Sequence, residues 1–292
     1  MKNKLLITGC SGFLGWNLCQ IARQKWQVYG TYYFNAVEIP GVKTFKIDLR
    51  DIGETKKLFQ EIRPDAVIHT AAQSSPNFCQ THREESYQIN VTASLNLAAL
   101  CGDYNIPCVF TSTDLVFNGL NPPYKETDPV SPVSYYGEQK VLAEAGMLER
   151  YPKTAVCRMP LMFGIPSPNS NSFIQPFIKN LREGKELKLF VDEFRTPVSG
   201  NTAAKGLLLA LEKVNGYLHL GGKERISRYD FGCLMAEVLE LPKDLLKSCF
   251  QKDVKMAAPR PKDLDLDSSK AFNLGYQPLS VGEELIAWRG KV

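Results

Sequence analysis

Short apolar or β-branched runs alternate with longer amphipathic stretches through the first half of the chain, the pattern of βαβ units that build a parallel sheet. Leu5 to Thr8 reads as a first strand. Behind it Leu14, Leu18, Ile21 and Ala22 recur at helical spacing, so the segment after the glycines is a helix with one buried face. Further strands are predicted at Gln27 to Tyr33, Thr44 to Ile47, Ala66 to Thr70, Cys108 to Thr111 and Ala155 to Arg158, with helices near residues 54–62, 86–102 and 133–149. Each connection is long enough to return a parallel strand, and such crossovers are nearly always right-handed. After about residue 158 the texture changes. The Pro/Ser/Asn-rich loop GIPSPNSNS at 164–172 is followed by irregular helices and short strands. Residues 159–292 are therefore expected to form mainly a smaller second lobe, with segments returning to the first unit, 1–158. Loop 164–172 reads equally as a cover over a ligand or as a solvated connector.

Composition narrows the class. With 44% apolar, 23% charged and 10% aromatic residues over 292 positions, the chain is an ordinary globule, neither disordered, collagenous nor disulfide-stapled. Its 35 basic and 31 acidic residues give a net charge of +4 and are scattered, with no basic block, so no nucleic-acid partner is expected. No run of eighteen apolar residues exists, and MKNKLLITGC passes directly into Gly and Ser. No membrane partner and a cytoplasmic location are predicted. The eight cysteines (Cys10, Cys19, Cys79, Cys101, Cys108, Cys157, Cys233, Cys249) show no C-x-x-C pair, and several lie in apolar runs where a reduced thiol acts as a small hydrophobe. His69, His82 and His219 are far apart, two of them end apolar runs that read as strands, and they lack a matching carboxylate and cysteine pattern, so no metal site is expected.

The segment LLITGCSGFLG places Gly9, Gly12 and Gly15 directly after a strand and at the start of a helix. There a tight turn lets backbone approach a pyrophosphate, and the helix N-terminus offers free N–H groups and positive dipole. The fold class is accordingly α/β, a Rossmann-type doubly wound parallel sheet with a smaller C-terminal substrate lobe. The second strand ends QVYGTYYFN, with neither the acid that would bind an adenosine 2′-hydroxyl nor a base for a 2′-phosphate. Lacking a repelling carboxylate, the site accepts NADP(H) or NAD(H) with a slight lean to NADP(H). Asp48 and Leu49, after the third strand, are placed to flank an adenine ring; capping of the next helix is the competing role for Asp48.

Tyr136-Gly-Glu-Gln-Lys140 sets a phenol and an ammonium one helical turn apart. In a chain with 12 tyrosines about one such pair arises by chance, so placement gives it weight. Upstream, VFTSTDLVF leaves a strand and ends in the hydroxyls of Ser112 and Thr113 and the carboxylate of Asp114. Hydride delivery to a carbonyl needs a proton donor at the developing alkoxide. A tyrosine whose pKa is lowered by a lysine charge suits that task, and a threonine hydroxyl can hold the same oxygen in line.

These residues resemble the extended short-chain dehydrogenase/reductases, and within them the dTDP-4-dehydrorhamnose reductase-like group. The resemblance spans nearly the whole chain through TGCSGFLG, HTAAQ (69–73), Asn90-Val91, TSTDLVFNG (111–119), YGEQK (136–140), RMPLMFG (158–164) and PRPKDLDLD (259–267). It implies Thr113, Tyr136 and Lys140 as catalytic residues. It further implies cofactor contacts at Gly9, Ser11, Gly12, Phe13, Leu14, Asp48, Leu49, Ala71, Ala72, Asn90 and the Arg158–Pro160 stretch, which includes Met159 and Pro160. Dehydratases of the superfamily carry Asp-Glu after the threonine; here Leu115 follows Asp114, which disfavours dehydration. Departures from the reductase pattern are Leu115 in place of Tyr, Leu264 in place of Ser, and EFRTPVSG where a glycine usually precedes Pro-Thr. Arg195 and Arg260 could pair with a substrate diphosphate or form surface or interdomain ion pairs.

The leading expectation is an NAD(P)H-dependent reductase of a 4-keto sugar nucleotide, with Tyr136 as proton donor and a nucleotide sugar as partner. The same resemblance extends to the regulatory β subunit of methionine adenosyltransferase, through segments close to NGLNPPYKETD, so a non-catalytic NADP-binding subunit is an alternative. A sugar-nucleotide epimerase using the same three residues is another. The family also allows a homodimer, with a metal at the dimer contact in some members, although no residue of this chain demands one.

Overall fold

In a computed structural model, which describes residues 2–291, the apolar runs of the first half become six parallel strands. They are β1 (Lys4–Thr8), β2 (Gln27–Tyr32), β3 (Val42–Lys46), β4 (Ala66–His69), β5 (Cys108–Thr113) and β6 (Ala155–Met159). Gly216–His219 adds a seventh, pairing with β6, and the order across the sheet is Gly216–His219, β6, β5, β4, β1, β2, β3. The chain winds outward from β1 to β3 and then returns to β4 on the other side of β1. That reversal opens a crevice at the carboxyl ends of β1 and β4, where ligands bind in sheets of this kind.

Both faces of the sheet are covered, which explains why the central strands β1, β4, β5 and β6 are almost continuously buried. Alternate residues face opposite sides. Leu5, Ile7, Ile68, Val109 and Cys157 pack with helix α1 (Phe13–Ala22) and with helix Gly200–Lys213. Leu6, Val67, Phe110 and Val156 pack on the other side with α2 (Ile52–Ile62), and α5 (Ala93–Asp103) and α6 (Tyr135–Arg150) complete that layer. Between α2 and α5 lie two short helices, α3 (Pro76–Thr81) and α4 (Arg83–Tyr87), and a π-helical turn at Gln88–Thr92. The helix expected at 86–102 is therefore broken, for a reason given by Asn90 below.

A third core, built from Phe163, Ile174, Leu189, Phe231, Met235, Leu246, Leu285 and Trp288, belongs to the C-terminal half. There Leu187–Phe190 pairs with Leu246–Cys249, and Phe194–Arg195 lies between Ile226–Ser227 and Asp263–Leu264. Leu264 is fully buried against Val116, Phe117 and Tyr124, so an apolar residue suits that position. Loop 164–172 is tied down across the first unit. Ser167 donates to the Ser11 carbonyl (2.9 Å), Asn169 to the Ala36 carbonyl (2.8 Å), and Asn17 to the Ile165 carbonyl (3.3 Å).

The eight cysteines are free thiols, six of them buried, with Cys10, Cys19 and Cys157 in one core and Cys101 and Cys108 in the other. His69 bridges Thr8 (2.6 Å) and Ser94 (3.1 Å), and burial pushes its pKa down to about 3. Burial does the same to His219. Among the described residues no cluster of three or more His, Cys, Asp or Glu side chains could hold a metal ion, and no helix is long and apolar enough to cross a membrane.

Candidate active site

β1 ends at Thr8, and the chain turns through Gly9 at φ +71°. A Cβ at that residue would lie 2.8 Å from the Ala71 Cα, so only glycine lets the turn press against the segment after β4. The Cys10 N–H bonds to the Thr31 carbonyl (2.8 Å) and holds the turn to β2. Gly12 caps α1 without any side-chain hydrogen bond, leaving the first-turn N–H groups and the positive helix end available to an anion.

A cleft of about 300 Å³ opens beside this turn. Gly9, Ser11, Gly12, Asp48, Leu49, Ala71 and Ala72 line it, together with Tyr33, Phe34, Asn35, Arg50, Gln73 and Ile89, which sequence reasoning missed. The free helix end, beside a glycine turn whose Gly9 and Gly12 line the cleft without side chains, fits the diphosphate of a dinucleotide. Phe13, Leu14 and Gly15 do not line it: the Phe13 ring packs at the start of helix Gly200–Lys213, Leu14 joins the core, and Gly15 lies against the Gly9 carbonyl. Met159 and Pro160 are buried at and just beyond the end of β6, and Met159 belongs to the core.

The second of the two roles for Asp48 does not hold, because Asp51 caps α2 by accepting from the Glu54 N–H (3.0 Å). Asp48 instead takes a bidentate fork from Arg50, with Nε–Oδ1 2.8 Å and Nη2–Oδ2 2.6 Å. Those bonds hold its carboxyl below the usual range. Arg50 Nη2 also donates to the Tyr33 hydroxyl (3.0 Å), and the guanidinium lies 5.3 Å from the centre of the Tyr33 ring. The end of β2 was read as lacking a basic group; Arg50 supplies one from beyond β3, because β2 and β3 are paired neighbours.

Asn90 is fully buried inside the π-turn. Its amide accepts from Gln73 N (2.8 Å), donates to Gln73 O (3.1 Å) and donates to Gln139 Oε1 (2.8 Å). It thus ties the segment after β4 to α6, and its side-chain bonding accounts for the widened turn, a feature that recurs at functional sites. Asn90 does not line the cleft.

β5 runs on to Thr113, two residues further than its pattern predicted, so Ser112 and Thr113 belong to the strand. The Thr113 hydroxyl donates to Asp114 Oδ1 (3.1 Å) and accepts from Leu115 N–H (3.2 Å). Ser134 caps α6, and Gly137 allows the helix to sit on the turn after β5: a Cβ there would lie 2.3 Å from the Leu115 carbonyl oxygen. That contact brings Tyr136 within reach of the charge on Asp114.

Lys140 is buried, donates to the Thr111 carbonyl (2.7 Å) and lies 3.9 Å from the centre of the Phe110 ring. Burial lowers its pKa to about 7, against a raising influence from Glu144. Spacing alone predicts that Lys140 lowers the Tyr136 pKa. Burial prevails instead and pushes the phenol up, with Cys79 and Asp114 acting in the same direction. Thr113 and Tyr136 each keep 7% of their surface exposed, and neither lines the cleft.

The two arginines are engaged within the protein. Arg195 is buried, gives hydrogen bonds to the carbonyls of Phe194, Lys262 and Pro261, and has Nε 3.6 Å from Asp114 Oδ2. Arg260 donates to the Ala258 carbonyl (3.0 Å) and to Asn77 Oδ1 (3.1 Å), fastening the C-terminal segment to α3.

The sheet order, the glycine turn and the Tyr136–Lys140 helix define a protein of the extended short-chain dehydrogenase/reductase class. Within that class the chain belongs to the RmlD substrate binding domain family, whose model matches residues 3–287. Methionine adenosyltransferase 2 subunit beta of Xenopus laevis is 29% identical over 98% of this chain and 88% of that protein. The probable low-salt glycan biosynthesis reductase Agl14 of Haloferax volcanii is also 29% identical, over 96% of this chain and 95% of its own. A solved structure, a hypothetical dTDP-4-dehydrorhamnose reductase from Sulfolobus tokodaii, superposes with a TM-score of 0.84 at 31% identity, covering 96% of this chain and 98% of that one.

Proposed function

We propose that this protein is an NADP(H)-dependent reductase of a 4-keto sugar nucleotide. The observation that carries the reading is the seating of α6 on the carboxyl end of β5, two strands from the glycine turn: Lys140 donates to the Thr111 carbonyl, and Gly137, next to Tyr136, lies against the Leu115 carbonyl, two residues beyond Thr113. The names of the Haloferax and Sulfolobus relatives support the same class of chemistry. Gly9, Ser11 and Gly12 would cradle the diphosphate, Asp48 and Leu49 the adenine side, and Arg50 a 2′-phosphate, which favours NADP(H) over NAD(H). When bound, the cofactor supplies the hydride. Tyr136 holds the proton for the ketone oxygen, Thr113 orients that oxygen, and the Lys140 ammonium favours ionisation of the phenol once substrate closes over it. Arg260, at the junction of the two units, is the candidate for the nucleotide diphosphate; Arg195, with its donors already engaged, would reach it only after exchanging partners.

Incubation with dTDP-4-dehydrorhamnose and NADPH tests this directly. Cofactor oxidation that disappears in Tyr136→Phe is the expected result. No oxidation with any of several keto-sugar nucleotides, or full activity in that variant, refutes it. The match to a methionine adenosyltransferase subunit over nearly the whole chain favours a second reading, a non-catalytic NADP-binding subunit. Co-purification with a second polypeptide, together with no turnover of any carbonyl substrate, would select it.

A further inference from the structure

Asp114 sits next to Thr113 and keeps only 4% of its surface exposed. A hydroxyl has one hydrogen and two lone pairs. That of Thr113 gives its hydrogen to Asp114 Oδ1 and takes one from Leu115 N–H, so only a lone pair remains for anything bound on its open side. A ketone oxygen, which can only accept, gains nothing from such a group, whereas an alcohol can donate to it. The other carboxylate oxygen, Asp114 Oδ2, is buried without a hydrogen-bond partner. Arg195 Nε lies 3.6 Å away, outside hydrogen-bond distance, and Arg195 Nη1 and Nη2 donate to backbone carbonyls instead. A buried carboxylate with one unbonded oxygen is poised to take up a proton.

We propose that Asp114 is a positioning residue that switches the Thr113 hydroxyl between acceptor and donor, so that ionised Asp114 suits a bound alcohol and protonated Asp114 a bound ketone. When the carboxyl takes one proton from solvent, it donates to Thr113 Oγ1, which still accepts from Leu115. The Thr113 hydrogen is then free to turn to the ketone oxygen, and the one hydrogen and both lone pairs of that hydroxyl are used. This inference rests on the ketone-reduction reading. The charged and titratable groups around the carboxylate are Arg195 and Glu193 from the strand region beside it, Arg228 bonded to Glu193 (3.1 Å), and Tyr136 from α6. Burial outweighs the Arg195 charge and raises Asp114 to about 6, inside the working range.

The test is equilibrium binding in dead-end mixtures, where no turnover can occur: dTDP-4-dehydrorhamnose with NADP⁺, and dTDP-rhamnose with NADPH. From about pH 5 to about pH 8 the ketone should weaken by up to about tenfold and the alcohol tighten, the size of one hydrogen bond. Calorimetry should record proton uptake with the ketone and release with the alcohol. A group acting only through its charge, such as Lys140, would shift both ligands the same way. In Asp114→Asn, which keeps an acceptor but does not titrate, the opposed shifts should disappear, leaving only changes that both ligands share. Wild-type affinities that move together or not at all, or opposed shifts persisting in Asp114→Asn, overturn the switch. Should that variant fail to fold, the wild-type titrations decide alone. A wild-type protein that binds neither ligand and oxidises no NADPH overturns the reductase reading and the switch with it; turnover without opposed shifts overturns only the switch.

Discussion

Replacing Glu144 with glutamine would leave the Arg158 guanidinium without its counter-charge inside the protein. The two side chains expose 2% and 3% of their surface and meet in a fork, Nε–Oε1 at 3.1 Å and Nη2–Oε2 at 2.9 Å. Removing one partner from such a pair costs about 3–5 kcal/mol, because the remaining charge stays desolvated. Glutamine keeps one acceptor oxygen, so the lower end, about 3 kcal/mol, applies. The Phe117 and Tyr217 rings, 5.1 and 4.5 Å from the guanidinium, cannot neutralise it. For a chain of this size each kcal/mol moves Tm by about 2–4 °C, which gives a fall of roughly 6–12 °C. Glu144 also supports protonation of Lys140, so the variant should drive that lysine further below its ordinary value. Thermal and urea unfolding of Glu144→Gln, and of a cycle made of the singles Glu144→Leu and Arg158→Met with the double variant Glu144→Leu/Arg158→Met, provide the measurement. The double variant should recover most of the loss, since apolar groups of similar volume often replace a buried pair at little cost. A single variant within about 0.5 kcal/mol of wild type, or a double variant equal to the sum of the singles, would refute the reasoning.

Arg50→Ala should weaken NADPH binding by about tenfold while leaving NADH nearly unchanged, as measured by cofactor fluorescence titration; equal effects on both would remove Arg50 from 2′-phosphate recognition. Gly9→Ala should cost about 2 kcal/mol or more, from its positive φ and the contact with the Ala71 backbone, and unfolding midpoints report it. His69 stays neutral in the fold down to about pH 3, whereas the unfolded chain protonates it near its ordinary value. Its share of stability is therefore complete above about pH 6.5 and declines by about 1.4 kcal/mol per pH unit as pH falls towards about 3. A His69→Asn variant, measured by denaturation across that range, should show a correspondingly shallower acid slope; an unchanged slope refutes it.

The first half of the fold was legible because its central strands β1, β4, β5 and β6 are built on short apolar runs, as both faces of a parallel sheet demand, while the edge strand β3 (VKTFK) mixes apolar and polar residues. β5 escaped in part, since Ser112 and Thr113 are polar residues that the ladder with β6 holds in extended form. The short apolar run that ends at His219 also reads as a strand, but only its pairing with β6 places it in the main sheet. Gly9, Gly12, Asp48 and Leu49 line the cleft as their spacing from the first and third strands indicates. Arg50 followed Asp48 in plain sight, but its importance depends on Tyr33, seventeen positions earlier and adjacent only through the β2–β3 ladder. Gly137 had a signal too, a glycine in the first turn of an otherwise well-formed helix, which is tolerated only where backbone approaches closely.

Local periodicity and turn chemistry thus determined, from the chain alone, the βαβ alternation, the glycine turn and the one-turn spacing of Tyr136 and Lys140, because these follow from backbone geometry over a few residues. Tertiary structure decided what those groups experience. Burial, and not proximity in sequence, sets the protonation of Tyr136, Lys140 and Asp114. It also turned Arg195 inward to backbone carbonyls and gave Arg50 its partners, since desolvation and long-range neighbours exist only once distant segments have packed.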